Sequence, residues 1–250
     1  MNREATMADN GEIHDEVSAH LPRPVRRVRR PREAAARTYD RLSRCYDTVA
    51  AAEQPYVDEG IAMLNAQPGE SVLEIGFGTG RALVKLAESV GDEGKVSGID
   101  ISTEMVARAA QRLTGHDLDG HVELVEADAI RLPYRTARFD AIFMSFTLEL
   151  FDTPEIPAVL SECLKVLRPP GRICVVSLSR EGGPYPMRRI YEWVHELVPA
   201  FMDCRPIFAA RALRRHGFLL KEVRHRRMWG LPVELVLAER PLGLRFDLSS

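Results

Sequence analysis

The chain has 250 residues, 45% of them hydrophobic and 28% charged, with a formal net charge of −2. This is ordinary globular composition: enough apolar content for one substantial α/β core, and no overall positive charge to make the protein a polyanion binder. No apolar run is long enough to cross a bilayer, and four scattered cysteines (Cys45, Cys163, Cys174, Cys204) form no CxxC pair, which argues against a disulfide framework or a metal site.

The opening MNREATMADNGEIHDE is polar and acidic where a secretory signal would be basic and then apolar, so a cytoplasmic protein is expected. Residues 1–20 show no hydrophobic period and read as disordered. Leu21 to Arg32 then place six arginines and three prolines in twelve residues, an extended basic arm. The arm Arg23–Arg32 suits contact with an anionic membrane, or with RNA, and equally suits a solvated tail doing neither. From Glu33 the pattern changes: Tyr39, Leu42, Tyr46 and Val49 recur at helical steps and predict an amphipathic helix lying on a domain that spans 33–240, with a flexible tail at 241–250.

From Pro68 onward, strands and helices alternate. Strands are expected at 71–75, 95–100, 121–128, 138–145 and 171–177. The helix at 81–90 carries the stripe Leu83, Leu86, Ala87 and Val90. The next, capped by Ser102 or Thr103, turns Val106, Ala109, Ala110 and Leu113 inward, and a third runs from about Thr153 to Leu167. Repeated βα units imply a doubly wound α/β fold with a parallel sheet covered on both faces. A short helix near 208–216 and two strand-like segments, about 219–226 and 233–239, close the domain. The connection 179–206, containing MRRIYEWVHELV, reads as a lid over a substrate, although its stripe of Ile190, Trp193, Val194 and Leu197 equally serves plain packing.

The segment VLEIGFGTG occupies the first βα turn, where doubly wound sheets bind ligands. Gly76, Gly78 and Gly80 let the backbone approach a ligand closely. A dinucleotide loop, G-x-G-x-x-G/A, would have a small residue where Arg81 stands, and Glu74 would repel a pyrophosphate; a phosphate-gripping G-x-x-x-x-G-K-[ST] is absent. The ligand expected is therefore not strongly anionic.

E-x-G-x-G-x-G after the first strand, Asp100 ending the second and Asp128 ending the third together resemble the class I S-adenosylmethionine-dependent methyltransferases, over about Ala34 to Glu239. The resemblance implies a seven-stranded, mostly parallel Rossmann-like sheet with a last antiparallel strand, and S-adenosylmethionine as cofactor. It assigns the ribose hydroxyls to Asp100, the adenine amino group to Asp128, with the Ala129 N–H on a ring nitrogen, and the methionine portion to Glu74 and the backbone of Gly76 to Gly80. It also offers the Ser145 carbonyl to the ammonium, and Ile101 and Met105 to the adenine face.

Within the class, RTYDRLSRCYD, the glycine loop and VLRPPGRICVVS look most like the ubiquinone/menaquinone-biosynthesis C-methyltransferases, whose leading helix closes over the cofactor; Tyr39 and Tyr46 would then cap the pocket, or simply pack. SFTLELFD replaces their Gly-Leu-Arg-Asn segment, which leaves the acceptor as a small hydrophobic, aromatic or lipid-like molecule rather than a quinone in particular. The turn Ser145-Phe146-Thr147-Leu148 differs from the Pro-Pro-aromatic grip of base-methylating enzymes, and Cys174 lies in an apolar strand, so nucleic acid is not the expected acceptor. No spacing selects a general base among His195, His216, Tyr191 and Glu149. A non-catalytic protein of the same fold, docking through its basic arm, is the alternative.

Overall fold

The structure, a computed structural model, describes residues 43–118, 120–181 and 206–243, with side chains described from 51 onward. The basic arm, Tyr39, the Tyr46 side chain, most of the expected lid (182–205) and residues 244–250 lie outside the described residues.

Seven strands form one sheet: β1 (Ser71–Ile75), β2 (Lys95–Asp100), β3 (Val122–Glu126), β4 (Phe139–Ser145), β5 (Leu167–Leu178), β6 (Leu219–Met228) and β7 (Leu231–Glu239). Their order is β3-β2-β1-β4-β5-β7-β6. β1 to β5 pair in parallel, while β7 pairs antiparallel with both β5 and β6. The strand order reverses between β1 and β4, which puts the glycine loop at the switch point where such sheets bind ligands.

Helices α1 (Ser43–Leu64), α2 (Arg81–Val90) and α3 (Thr103–Thr114) pack on one face, and α4 (Ile156–Val166) and α5 (Ala209–Arg215) on the other. The expected stripe of α2 is buried. In α3 the buried residues are Met105, Ala109 and Leu113; Ala110, expected inward, is exposed, because a stripe at steps of four carries past it. Ser102 caps this helix, its hydroxyl accepting from Met105 N–H at 3.3 Å.

Three boundaries differ from the sequence reading. α1 continues through Pro55 to Leu64, well beyond the stripe that announced it. β3 stops at Glu126, two residues short, so Asp128 lies in the turn that follows. α4 ends at Val166 and β5 begins at once, because Arg168 precedes a Pro-Pro pair that favours extended backbone.

α1 is held to the sheet at both its middle and its end. At Gly60 an added Cβ would stand 2.5 Å from Val176 Cγ2 and 3.0 Å from Phe143 Cε2, so glycine is what lets the helix lie against β4 and β5. At its end Arg172 of β5 donates to Leu64 O at 2.6 Å, satisfying a terminal helix carbonyl, and pairs through both outer nitrogens with Glu70 at 2.8 and 2.7 Å. Among the described residues, no helix is long and apolar enough to cross a membrane.

Gly60→Ala sets a helix-propensity gain of about 1 kcal/mol against overpacking of about 1–3 kcal/mol. The close approach to Val176 decides the sign: the urea midpoint is expected to fall with the slope unchanged.

Candidate functional site

The chain after β1 turns through Gly76, Gly78 and Gly80, all at positive φ (71°, 51° and 78°). Two of these positions tolerate no side chain. A Cβ on Gly76 would meet the Thr147 side chain at 2.3 Å, and one on Gly80 would meet Ala109 Cβ at 2.9 Å. The loop therefore sits pressed between the turn after β4 and helix α3.

Hydrogen bonds fix it there. Gly76 N–H donates to Ile99 O at 2.7 Å, and Gly78 N–H to Asp100 Oδ2 at 2.9 Å. Asp100 Oδ1 accepts from Ser102 N–H, also at 2.9 Å. From α3, Arg112 Nε donates to Thr79 O at 2.7 Å. Thr147 Oγ1 donates to Ser145 O at 2.9 Å and lies 3.3 Å from Gly76 O, joining the end of β4 to the first glycine. Arg112 and Thr147 position the loop and were not singled out in the sequence; a helical arginine and a turn threonine carry no signal until the fold brings them to the glycines.

The expected residues fall as follows. Glu74 is buried one residue before the end of β1, and its Oε2 has no hydrogen-bond partner among the described residues. Burial, with the neighbouring Asp100 carboxylate adding to it, pushes Glu74 well above the usual carboxylate range. Asp100 is itself raised by burial, against which the backbone N–H groups of Ser102, Gly78 and Ile101 work. The loop is thus flanked by two carboxyls, Glu74 buried with an oxygen lacking a partner among the described residues and Asp100 half-buried, surroundings unfavourable to a phosphate. Ile101 is 55% exposed beside Asp100, as a flat apolar platform would be. Met105 is buried in the apolar cluster with Ala109 and Leu113 on the sheet-facing side of α3. Asp128 Oδ1 accepts from Ile130 N–H at 3.0 Å in the turn after β3, and Ala129 is buried beside it. Ala127 N–H donates to Asp100 O at 3.0 Å, so this turn is tied to the end of β2 and stands next to Asp100.

Of the four candidate bases, Tyr191 and His195 lie outside the described residues. His216 has its Nδ1 2.8 Å from Ala212 O, within its own helix end. Glu149 is different. It sits in the 3-10 turn Leu148–Leu150 after β4 and is buried; its Oε1 accepts from Leu178 N–H at 3.0 Å, and its Oε2 has no partner among the described residues. Burial pushes it up to about 8, with Glu53 of α1 contributing; burial likewise lifts Glu53 to about 7. Glu149 thus stands just past the carboxyl end of β4, with Glu53 near enough to add to its rise.

Residues 72–171 match the family described as "Methyltransferase domain". A ubiquinone/menaquinone biosynthesis C-methyltransferase of Rhizobium leguminosarum is 34% identical over 147 residues, 58% of this chain and 56% of that protein. A demethylmenaquinone methyltransferase of Lactobacillus johnsonii is 30% identical over 138 residues, 55% of each. The chain thus spans a little over half the length of these curated relatives. A crystal structure described as a SAM-dependent methyltransferase from Aquifex aeolicus overlaps with a TM-score of 0.56 at 24% identity, covering 74% of this chain and 89% of that one. Over residues 72–171, from β1 into β5, the chain is thus similar to the methyltransferase domain. Within that stretch the glycine loop, the buried Glu74 and the end of β2 meet at the switch point of the sheet.

The raised carboxyl of Glu149 has a consequence for stability. Between its ordinary value near 4.5 and its folded value of about 8, the folded state holds a proton that the unfolded chain has lost, so Glu149 makes the protein less stable as pH rises through that window. Glu149→Gln is expected to raise the melting temperature at pH 8 and to leave it nearly unchanged at pH 4.5, as read by thermal unfolding of both proteins across the range.

Proposed function

We propose that the protein transfers a methyl group from S-adenosylmethionine to a small hydrophobic, aromatic or lipid-like acceptor. The observation that carries this reading is the glycine loop clasped to Asp100, with the orphaned Glu74 carboxyl beneath it, at the switch point of a β3-β2-β1-β4-β5-β7-β6 sheet.

The residues fit the cofactor. Asp100, at the end of β2 beside the loop, keeps acceptor capacity beyond its backbone bonds from Gly78, Ser102 and Ile101, which suits a ribose hydroxyl. Glu74, raised by burial and by Asp100, would ionise beside an ammonium or a sulfonium. The backbone of Gly76 to Gly80 and the Ser145 carbonyl would hold the methionine end, Ile101 the adenine face, and Asp128 with Ala129 N–H its polar edge. Tyr39 and Tyr46 would cap the site from the leading helix. When bound, S-adenosylmethionine supplies an electrophilic methyl on a sulfonium, open to in-line displacement. The chain's own work is alignment and exclusion of water. Glu149, with a free acceptor oxygen and a carboxyl lifted to about 8, suits removal of a proton from the acceptor near neutral pH.

The relatives named above are quinone-biosynthesis enzymes by name. Their names are in keeping with an aromatic or lipid-like acceptor here, while SFTLELFD in place of Gly-Leu-Arg-Asn keeps the proposal at that broader class rather than at a quinone in particular. A cytoplasmic location belongs to the same reading, with the arm Arg23–Arg32 available to an anionic membrane surface.

With methyl-labelled cofactor and a cell extract, label is expected in the solvent-extractable lipid and aromatic fraction, and Glu149→Gln is expected to slow its appearance at least tenfold. Label confined to RNA would overturn the acceptor class; no transfer into any fraction by a protein that still binds the cofactor would overturn catalysis.

A further inference from the structure

A second set of ionisable groups stands at the far side of the sheet. The antiparallel register sets Ser177 of β5 against Glu234 of β7, and Glu234 against His225 of β6. Directly opposed residues project to the same face, so the three form a row across three strands, one residue from the carboxyl end of β5. Glu181, just past that end, joins them: one ligand atom from each of Glu181, His225 and Glu234 lies within 4.8 Å of the others.

Two observations separate this cluster from a solvated acidic patch. Glu234 is fully buried; its Oε2 accepts from Ala210 N–H at 3.3 Å, and its Oε1 has no partner among the described residues. Beside it in the row, Ser177 Oγ is equally buried and equally without a partner. Burial pushes the Glu234 carboxyl up and the nearby Glu181 adds to this, against the Ala210 N–H and His225. An orphaned buried carboxylate oxygen is costly, and a cation on it removes the cost. The present rival is Arg211, whose Nη2 lies 3.9 Å from Glu181 Oε1 in a half-exposed pair of the kind that contributes little.

One imidazole and two carboxylates make a donor set for a divalent transition ion; Ca2+ and Mg2+ favour oxygen donors throughout. Ligand atoms about 2.0–2.2 Å from zinc stand roughly 3.5 Å from one another. Rotation of His225, which is exposed, and of Glu181, which is partly so, closes the remaining spacing around the fixed Glu234.

We propose that Glu181, His225 and Glu234 form a divalent transition-metal site, best matched to Zn2+, with an open coordination position for water or another oxygen ligand. The three ligands come from the end of β5, from β6 and from β7, so the ion would tie the antiparallel strands to the chain that leads into residue 182. The site stands independently of the methyltransferase reading, and failure of cofactor binding leaves it untouched.

The untagged full-length protein, stripped with a chelator, is titrated with Zn2+ in competition with a chromophoric chelator, and its melting temperature is followed with and without the ion. One ion per chain and a metal-dependent rise in melting temperature are expected. Glu181→Ala and His225→Ala, both changes at accessible side chains, are each expected to weaken binding at least tenfold and to abolish that rise. Glu234→Gln, which keeps the shape and the Ala210 contact, should do the same. Absence of stoichiometric binding, or binding unchanged in Glu181→Ala and His225→Ala, would overturn the site.

Discussion

Asp100 accepts Gly78 N–H on one carboxylate oxygen and Ser102 N–H on the other, each at 2.9 Å, and the cofactor end of the molecule is arranged around that pair of bonds. The first draws the bare loop after β1 onto the end of β2; the second fixes the turn into α3, whose Arg112 then reaches back to Thr79 O. A loop with three residues at positive φ is entropically expensive to hold still. Three separate tethers, from β2, from α3 and from Thr147 after β4, offset that expense and hold the loop in one conformation. Such a surface is ready for a ligand before the ligand arrives, which is the physical meaning of preorganisation.

Buried polar atoms without partners are uncommon in folded proteins, so where they gather is informative. Here Glu74 Oε2, Glu149 Oε2, Ser177 Oγ and Glu234 Oε1 all belong to residues at or just past the carboxyl ends of β1, β4 and β5, or paired with them. Each of the three glutamates is pushed upward by burial. The apolar clusters on the two faces of the sheet bury most of the rest of the domain, with Tyr134 Oη in one of them a further buried atom lacking a hydrogen-bond partner among the described residues. The carboxyl edge is thus where this chain keeps electrostatic cost in reserve: at Glu74 for a cation beside the glycines, at Glu149 for a proton, and at Glu234 for a metal ion.

The sequence made the first of these legible and hid the other two. Gly76, Gly78 and Gly80 announce themselves because few other residues serve at those dihedrals, and an acidic residue ending the strand after such a loop is a local, readable pattern. Glu149 was visible only as one of four possible bases; nothing nearby says that Leu178, far along the chain, will lend it an N–H and seal it from water. His225 and Glu234 meet through antiparallel register, and Glu181 arrives from another element, so no spacing along the chain forecasts the three together. The same limit hid how far α1 runs, since the contacts of Gly60 with Val176 and Phe143 come from strands distant in the chain. The sequence makes a feature legible where one loop suffices and hides it where tertiary contact decides burial.

Calorimetric titration with S-adenosylhomocysteine, on the wild-type protein and on Asp100→Ala, tests the central claim most directly. Binding at one site per chain, weakened at least tenfold when Asp100 is replaced, is the predicted result. No binding to the wild type, or equal binding by the variant, would contradict it.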